Sequence, residues 1–221
     1  MSNPDVTAMR SYLKPAVFIL CLLPLGIMLW DGFHDALGAN PIEQLTHRTG
    51  DWGLRFLLLT LAITPLRRLF GWHYLMRLRR MLGLYAFFYV FLHFLVYLVL
   101  DQFFDVTEIA KDIIKRPYIT VGFAAFLMLI PLAITSTNKM MKRLGKRWQY
   151  LHQLIYAIGV CGVLHYLWLV KADIVEPLVY AAVLLGLLII RVLYQRKKLK
   201  KHECDPLTRP QRLKKYIWQQ K

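Results

Sequence analysis

Long runs of apolar residues, separated by short polar stretches, dominate this 221-residue chain. A helix of about 20 apolar residues crosses the ~30 Å hydrocarbon core of a bilayer. Six runs are of about that length: Tyr12 to Trp30, Trp52 to Phe70, Met81 to Leu100, Tyr118 to Thr135, Trp148 to Val170 and Ile174 to Tyr194. The pattern predicts an all-α fold, a six-helix polytopic membrane bundle with both termini on the same side.

The polar stretches between the runs alternate in charge, within a formal net charge of +16. The connections from Leu66 to Arg80 and from Ser136 to Arg147 are strongly basic and hold no acidic residue, whereas the first and third connections are mixed or acidic. Because basic residues are retained in the cytoplasm, both termini are expected to be cytoplasmic. Basic residues in short juxtamembrane loops suit anionic lipid headgroups, so we expect membrane lipid and no nucleic acid as a partner.

The same pattern divides the chain into a cytoplasmic N-terminus (1–11), a transmembrane domain (12–194) and a basic cytoplasmic tail (195–221). The first run is expected to be a retained helix, because its removal as a signal peptide would leave an odd number of crossings. The tail either lies on the inner leaflet as an amphipathic segment or is solvated. The cysteines, Cys21, Cys161 and Cys204, form no C-x-x-C pair, so neither an iron–sulfur site nor a disulfide framework is indicated.

Histidines occur inside only the third and fifth runs, where His93, His152 and His165 lie. Ionisable residues are costly in hydrocarbon and point to function. Tyrosines at four-residue intervals share the helix face of His93, namely Tyr85, Tyr89 and Tyr97. This stripe is either a packing surface with one hydrogen-bonded histidine or one wall of a cofactor pocket.

His93 and His165 are expected at matching depth. At about 1.5 Å per residue, each lies ~18 to 20 Å from the cytoplasmic end of its helix. Two histidines at one depth on facing helices suit the axial ligation of a haem, so we predict a b-type haem between helices three and five. Gly159 and Gly162 leave room there for a flat macrocycle, although small residues equally serve close helix packing.

His152 lies near the cytoplasmic boundary, where helix three offers no second histidine. The positions 13 and 14 residues before His93 are Arg80 and Arg79. These two arginines and Arg147 are the candidate cofactor-binding cations, suited to haem propionates or a flavin phosphate. An ideal helix separates His152 from His165 by roughly 140°, so both flank one core only at different azimuths or with a distortion.

The remaining histidines are weaker candidates. A structural hydrogen bond accounts for any single intramembrane histidine as well as metal ligation does, but three on two helices favour haem. We expect His34 and His47 to be solvated loop residues, with a site role kept open for His47 near Thr46 and Gly50. His73 lies beyond the end of helix two and is expected at the membrane interface.

Several ordered segments carry a family resemblance between Pro41 and Asp173: THRTG, LAITPLRRL, RLRRMLGLYAFFYVFLH, RPYITVGF, AITSTNKMMKRLGKRWQYLHQLIY and LHYLWLVKAD. The chain resembles the ferric-reductase-like transmembrane family, and within it the haem-binding membrane subunits of bacterial periplasmic methionine sulfoxide reductase systems. The ligand histidines of the family fall on His93, His152 and His165. The chain lacks the second helix-three histidine and the nucleotide-binding domain of larger two-haem members, so the number of haems stays open.

The resemblance implies an electron-transfer subunit of the bacterial inner membrane and not a catalytic subunit. Its cofactors would be one or two b-type haems and, in some descriptions of the family, FMN. Electrons would come from the quinone pool or a cytoplasmic flavin reductase and pass to a periplasmic molybdopterin subunit that reduces methionine sulfoxide in oxidised proteins. The alternatives are a stand-alone transmembrane ferric or quinone reductase and a haem-free transporter with a histidine proton relay.

Overall fold

The computed structural model describes residues 4–170 and 174–203, with side chains at 12–170 and 174–197. Within these ranges the chain forms nine α-helices and no strand: α1 (Pro4–Phe33), α2 (Pro41–Phe70), α3 (Arg79–Val96), α4 (Val106–Lys115), α5 (Pro117–Ile134), α6 (Asn138–Leu144), α7 (Lys146–Leu151), α8 (Leu154–Leu169) and α9 (Val175–Glu203). A short 3₁₀ helix, His73–Arg77, precedes α3, and a π-helical turn, Tyr97–Asp101, extends it. The all-α prediction is confirmed.

Five helical segments in the described part of the chain are long and apolar enough to cross a membrane: Tyr12–Phe33, Arg79–Asp101, Pro117–Ile134, Lys146–Leu169 and Val175–Lys197. These segments fit a multi-pass membrane protein. The other predicted crossing, Trp52 to Phe70, lies in α2, where Arg55, Thr60 and Thr64 dilute the apolar run. Much of α2 is buried against other helices, so it does not need a fully apolar surface. The count of six crossings stays a prediction.

α2 packs against α3, and α5 packs against α8, and these two helix pairs form the core of the bundle. The start of α2 is capped by the Asn40 side chain, which accepts a hydrogen bond from the backbone N–H of Glu43 at 3.3 Å. Its end is set by Gly71, whose φ of 71° is the left-handed conformation that glycine adopts at low cost. α2 therefore begins eleven residues before the predicted crossing, and His47 lies in this helix and not in a loop.

A tyrosine hydroxyl from α3 joins α1 to the bundle at a proline. Pro24 lies inside α1, where a helix is prone to kink. The Tyr89 hydroxyl donates to the Cys21 carbonyl at 2.8 Å and accepts from the Leu25 N–H at 3.1 Å, so it stands between the two groups of one helical hydrogen bond. Tyr85 likewise donates to the Phe18 carbonyl at 2.9 Å. The first half of the tyrosine stripe is therefore a packing surface.

The fifth predicted helix is two helices in the structure. α7 ends at Leu151 and α8 begins at Leu154, with a turn at His152 and Gln153. The helix is therefore distorted at His152, which is one of the two possibilities for histidines roughly 140° apart. Helix α4 was not predicted, because its ten residues form a short amphipathic segment within a charged connection.

Two compact units make up the chain, Met1–Leu184 and Leu185–Lys221. The first holds α1 to α8 and the start of α9, and the second continues α9 to Glu203. The expected basic tail therefore begins as helix. Residues 204–221, with Cys204 and most of that tail, lie outside the described residues, as do residues 1–3.

Candidate functional site

Two cavities lie in the helical core, each of about 290 Å³. The paired-histidine cavity contains His93 and His165, and the arginine–histidine cavity contains Arg79, Arg80 and His152. Leu129 of α5 lines both cavities, so a single side chain of the wall is shared. The core therefore holds two candidate cofactor sites in series along the bundle.

His93 and His165 face each other in the first cavity. Their ring centroids lie 6.2 Å apart, with an angle of 79° between the ring planes. Metal–imidazole bonds are about 2.0–2.1 Å, so two imidazoles on opposite sides of one metal have ring centres about 6 Å apart. The pair predicted from matched depth is thus brought together at the spacing that axial ligation needs.

The second ring nitrogen of each histidine is held by the backbone. His93 Nδ1 donates to the Thr46 carbonyl at 2.8 Å, and His165 Nδ1 donates to the Tyr118 carbonyl at 2.7 Å. Because a carbonyl only accepts, these bonds place the proton on Nδ1 and leave the Nε2 lone pair available. Metal-ligating histidines in proteins show the same pattern of a donated second N–H.

A glycine lies against each of these histidines. A Cβ at Gly122 would lie 2.7 Å from His165 Nδ1, and a Cβ at Gly50 would lie 3.2 Å from His93 Nδ1. The first distance is a clash and the second is tight, so both rings occupy space that only glycine leaves free. Each glycine lies one helical turn after the residue whose carbonyl accepts the histidine hydrogen bond.

The two halves of this arrangement repeat along the chain. Tyr118, Gly122 and His165 lie 72 positions after their counterparts Thr46, Gly50 and His93, and both histidine bonds span 47 positions. The helix pair α2–α3 therefore presents its histidine in the same way as the pair α5–α8. The position 72 before His152 is Arg80.

The donor set fits the haem predicted from the sequence. Within the described residues no three His, Cys, Asp or Glu side chains gather around one point, so a bare metal ion would lack a full ligand shell there. A haem brings its own equatorial ligands and needs only axial ones. His93 and His165 supply two nitrogen donors, with mostly apolar lining around them.

Charged residues from α2 and α9 gather beside this cavity. Arg55 Nε donates to the Tyr180 hydroxyl at 2.8 Å, and an Arg55 nitrogen lies 3.5 Å from Glu176 Oε1. Asp51, which lines the cavity, precedes the predicted crossing at Trp52. Burial, together with the negative charge of Glu176, raises the pKa of the Asp51 carboxyl. These contacts attach the start of α9 to α2 at the level of the paired histidines.

In the arginine–histidine cavity a single histidine is fixed by α7. The His152 ring stacks on Trp148 with centroids 3.9 Å apart, and its Nδ1 donates to the Trp148 carbonyl at 3.1 Å. Its Nε2 is buried and makes no hydrogen bond of ordinary geometry within the described residues, although the Leu132 backbone lies nearby. A buried nitrogen in this state suits a ligand in the cavity.

The predicted cations divide between this cavity and the surface. Arg79 and Arg80 line the cavity, and Arg80 donates to Asn138 Oδ1 in α6. Arg147 is exposed and is not among the residues that line the cavity. The two basic connections of the chain therefore meet at this end of the bundle.

Other predicted residues take different places. Gly162 lines the paired-histidine cavity, whereas the space at Gly159 is filled by Leu61 and Leu184, so Gly159 serves packing. His47 also lines the cavity, and His34 is exposed and stacked on Trp30. Gly50, Gly122 and the two accepting carbonyls were not predicted from the sequence as parts of the site. The equal 72-residue spacing was the signal that could have identified them.

Known proteins match this chain over most of its length. A family model described as "Ferric reductase like transmembrane component" matches residues 49–163. A protein of Herminiimonas arsenicoxydans is 54% identical over 206 residues, which is 92% of this chain and 93% of that protein. Its name is "Protein-methionine-sulfoxide reductase heme-binding subunit MsrQ".

Relatives with the same name occur in Azospira oryzae, 56% identical over 184 residues, and in Rhodospirillum rubrum, 57% identical over 181 residues. These alignments cover 82% and 80% of this chain, and 79% and 86% of the respective relatives. No solved structure matches the chain.

Proposed function

Because this chain belongs to the MsrQ family of heme-binding subunits, within the ferric-reductase-like transmembrane proteins, we propose that it is a membrane b-type cytochrome subunit. It receives electrons from the quinone pool or a cytoplasmic flavin reductase. It passes them to a periplasmic molybdopterin-dependent reductase that repairs oxidised methionine in proteins. The observation that carries the proposal is the facing pair His93 and His165, with each Nδ1 bound to a backbone carbonyl.

In this proposal His93 and His165 would hold a haem b through their Nε2 atoms. A bound haem supplies one-electron redox chemistry, with a potential set by its ligands and surroundings. The Thr46 and Tyr118 carbonyls orient the two imidazoles and hold a proton on each Nδ1. Leu54, Leu57 and Phe126 belong to the largely apolar wall that limits the access of water.

For the arginine–histidine cavity we propose a second haem with His152 as one ligand. Arg79 and Arg80 lie where propionates or another anionic group need guanidinium partners. FMN is the alternative occupant, because a phosphate suits the same two arginines. The shared Leu129 makes the two cavities neighbours, which supports a relay between them.

We propose that the arginine–histidine cavity faces the cytoplasm and the paired-histidine cavity the periplasm, with both termini cytoplasmic. The basic connections lie at the first of these ends, as the positive-inside rule requires. Electrons then enter beside His152 and leave beside His93 and His165.

The test is a stepwise electron-transfer assay with the purified protein in vesicles. A reduced quinone or a reduced flavin donor should reduce a low-spin b-type haem. Addition of the periplasmic molybdopterin reductase with methionine sulfoxide should then reoxidise it. No haem after expression with adequate haem supply would contradict the proposal, and rapid reduction of iron chelates without the periplasmic subunit would favour a stand-alone reductase.

A further inference from the structure

The connection between α3 and α5 carries apolar side chains that stay uncovered in the part of the chain that the structure describes. Phe103 and Phe104 are 77% and 60% exposed, and Val106 and Ile114 are 76% and 82% exposed. All four lie between Asp101, where one membrane-spanning candidate ends, and Pro117, where the next begins. We propose that α4 is an interfacial helix, with Phe103, Phe104, Val106 and Ile114 inserted into the lipid at the boundary of headgroups and acyl chains.

Tethering fixes the level of α4 in the membrane. The two flanking spans end and begin on the same side, so the ten residues of α4 lie at that boundary and cannot lie deep in the hydrocarbon or far out in water. Leu100, in the last turn before the connection, is also exposed to the outside of the bundle. The uncovered apolar surface of the connection therefore continues the lipid-facing surface of the preceding span.

The other helices cover only part of the apolar face of α4. Ile109 and Ile113 are half-buried and line the paired-histidine cavity, so one edge of the face closes that cavity. Val106 and Ile114 occupy the other edge and point away from the protein. A helix with one apolar edge on protein and the other uncovered suits the plane of a membrane interface.

Backbone geometry holds the two phenylalanines outward. Phe103 and Phe104 have φ angles of 46° and 63°, a left-handed conformation that bulky residues rarely adopt. The segment is fixed by hydrogen bonds from Gln102 N to the Tyr97 carbonyl and from Phe104 N to the Leu98 carbonyl. Strained positions of this kind persist where something offsets their cost. Burial of phenylalanine side chains at the boundary of headgroups and acyl chains is favourable and can offset this cost, whereas their exposure to water cannot.

The charges of α4 argue for lipid insertion and against electrostatic attachment. Its four charged residues balance in sign: Glu108, Lys111, Asp112 and Lys115. Lys111 pairs with Glu108 at 2.6 Å, and Arg116 pairs with Asp112 at 3.2 Å. Such a balanced set has little net attraction for anionic headgroups, so the apolar edge must supply the affinity.

The test measures the surroundings of nitroxide labels on the full-length protein in vesicles of zwitterionic phospholipid. Single cysteines are introduced by Phe103→Cys, Val106→Cys and Ile114→Cys, after the native cysteines are replaced by alanine. Matched controls on the polar side of the same helix are Glu108→Cys and Lys115→Cys. Collisions with oxygen, which partitions into lipid, are compared with collisions with a water-soluble nickel chelate.

We expect the labels at 103, 106 and 114 to show a several-fold higher ratio of oxygen to nickel collisions than the labels at 108 and 115. The same result is expected in vesicles that contain anionic lipid. Equal ratios at all five positions would overturn the proposal. The proposal would also be overturned if the labels became inaccessible to the nickel chelate only after a periplasmic protein is added. The face would then be a protein-docking surface. Each labelled variant is judged to be folded when its optical haem spectrum matches that of the parent protein. The three positions test the proposal independently.

Discussion

The two ends of the helical core share one plan but differ in chemistry. At one end α3 and α8 each present a histidine, held by a backbone carbonyl and facing a glycine. At the other end the corresponding positions hold Arg80 and His152, and only the histidine offers a neutral nitrogen donor. This difference supports the proposal of symmetrical axial ligation at the paired-histidine end. At the arginine–histidine end it supports the proposal of a cofactor with an anionic group and, at most, one histidine ligand.

Removal of either paired histidine should have the largest effect on cofactor binding. His93→Ala or His165→Ala is expected to abolish the low-spin spectrum of the b-type haem proposed for the paired-histidine cavity, because one axial donor is lost. Optical spectra and the ratio of haem to protein measure this loss. His34→Ala is the matched control, because His34 is exposed and stacked on Trp30 outside both cavities. An unchanged spectrum and haem content in both alanine variants would refute the ligand assignment.

His152→Ala should distinguish the cofactor of the arginine–histidine cavity from that of the paired-histidine cavity. It is expected to lower the haem or flavin content that belongs to the arginine–histidine cavity while the spectrum from His93 and His165 remains. Haem and flavin quantitation, with electron transfer from a quinol or flavin donor, measures the change. His73→Ala serves as the control at the same end. Equal haem, equal flavin and equal electron transfer would show that His152 has no role.

Gly122→Ala tests the fit of the rings with a single added methyl group. The new Cβ would lie 2.7 Å from His165 Nδ1, closer than the 3.2 Å at Gly50, so the His165 ring must shift. Overpacking of this kind costs about 1–3 kcal/mol. We expect reduced haem retention and an altered low-spin electron paramagnetic resonance signal, with a smaller change for Gly50→Ala.

Gly26→Ala is the control for both variants, because nothing lies within 4 Å of a Cβ at that position. If Gly122→Ala keeps the parent haem content and resonance signal, the close contact with His165 does not constrain the site.

The smallest effect on cofactor binding is expected for a substitution away from both cavities. Tyr89→Phe removes the hydroxyl between the Cys21 carbonyl and the Leu25 N–H, and it leaves buried polar groups unpaired. The expected loss is about 1–3 kcal/mol of folding stability with unchanged haem content. Thermal unfolding in detergent measures it, with Tyr85→Phe as the partner variant that removes only one bond. Haem loss as severe as in His93→Ala would show that the tyrosine stripe belongs to the site.

Helices that meet lipid could be predicted from the sequence, because apolar runs of bilayer length are rare outside membrane-spanning helices. The polar start of α2 and the helix α4 could not, since their stability depends on contacts with distant parts of the chain. The break at His152 and Gln153 was invisible for a related reason. The run there is continuous in hydropathy, and the angle between His152 and His165 left a distortion as only one of two possibilities.

Within the candidate site, the sequence indicated the donors but not their supports. Histidines in a membrane span are rare enough to identify, and depth alone paired His93 with His165. The accepting carbonyls of Thr46 and Tyr118 depend on backbone positions 47 residues away, which composition does not reveal. Gly159 and Gly162 drew attention by lying beside the histidines in sequence, whereas Gly50 and Gly122 lie beside them in space.

The most direct measurement of the central claim is a redox titration of His165→Met, with His34→Met as the control. Methionine also binds haem iron, and histidine–methionine ligation raises the reduction potential above that of two histidines. We predict that the variant retains haem but shows a raised potential and an altered spectrum. A potential and spectrum identical to those of the parent protein would contradict axial ligation by His165.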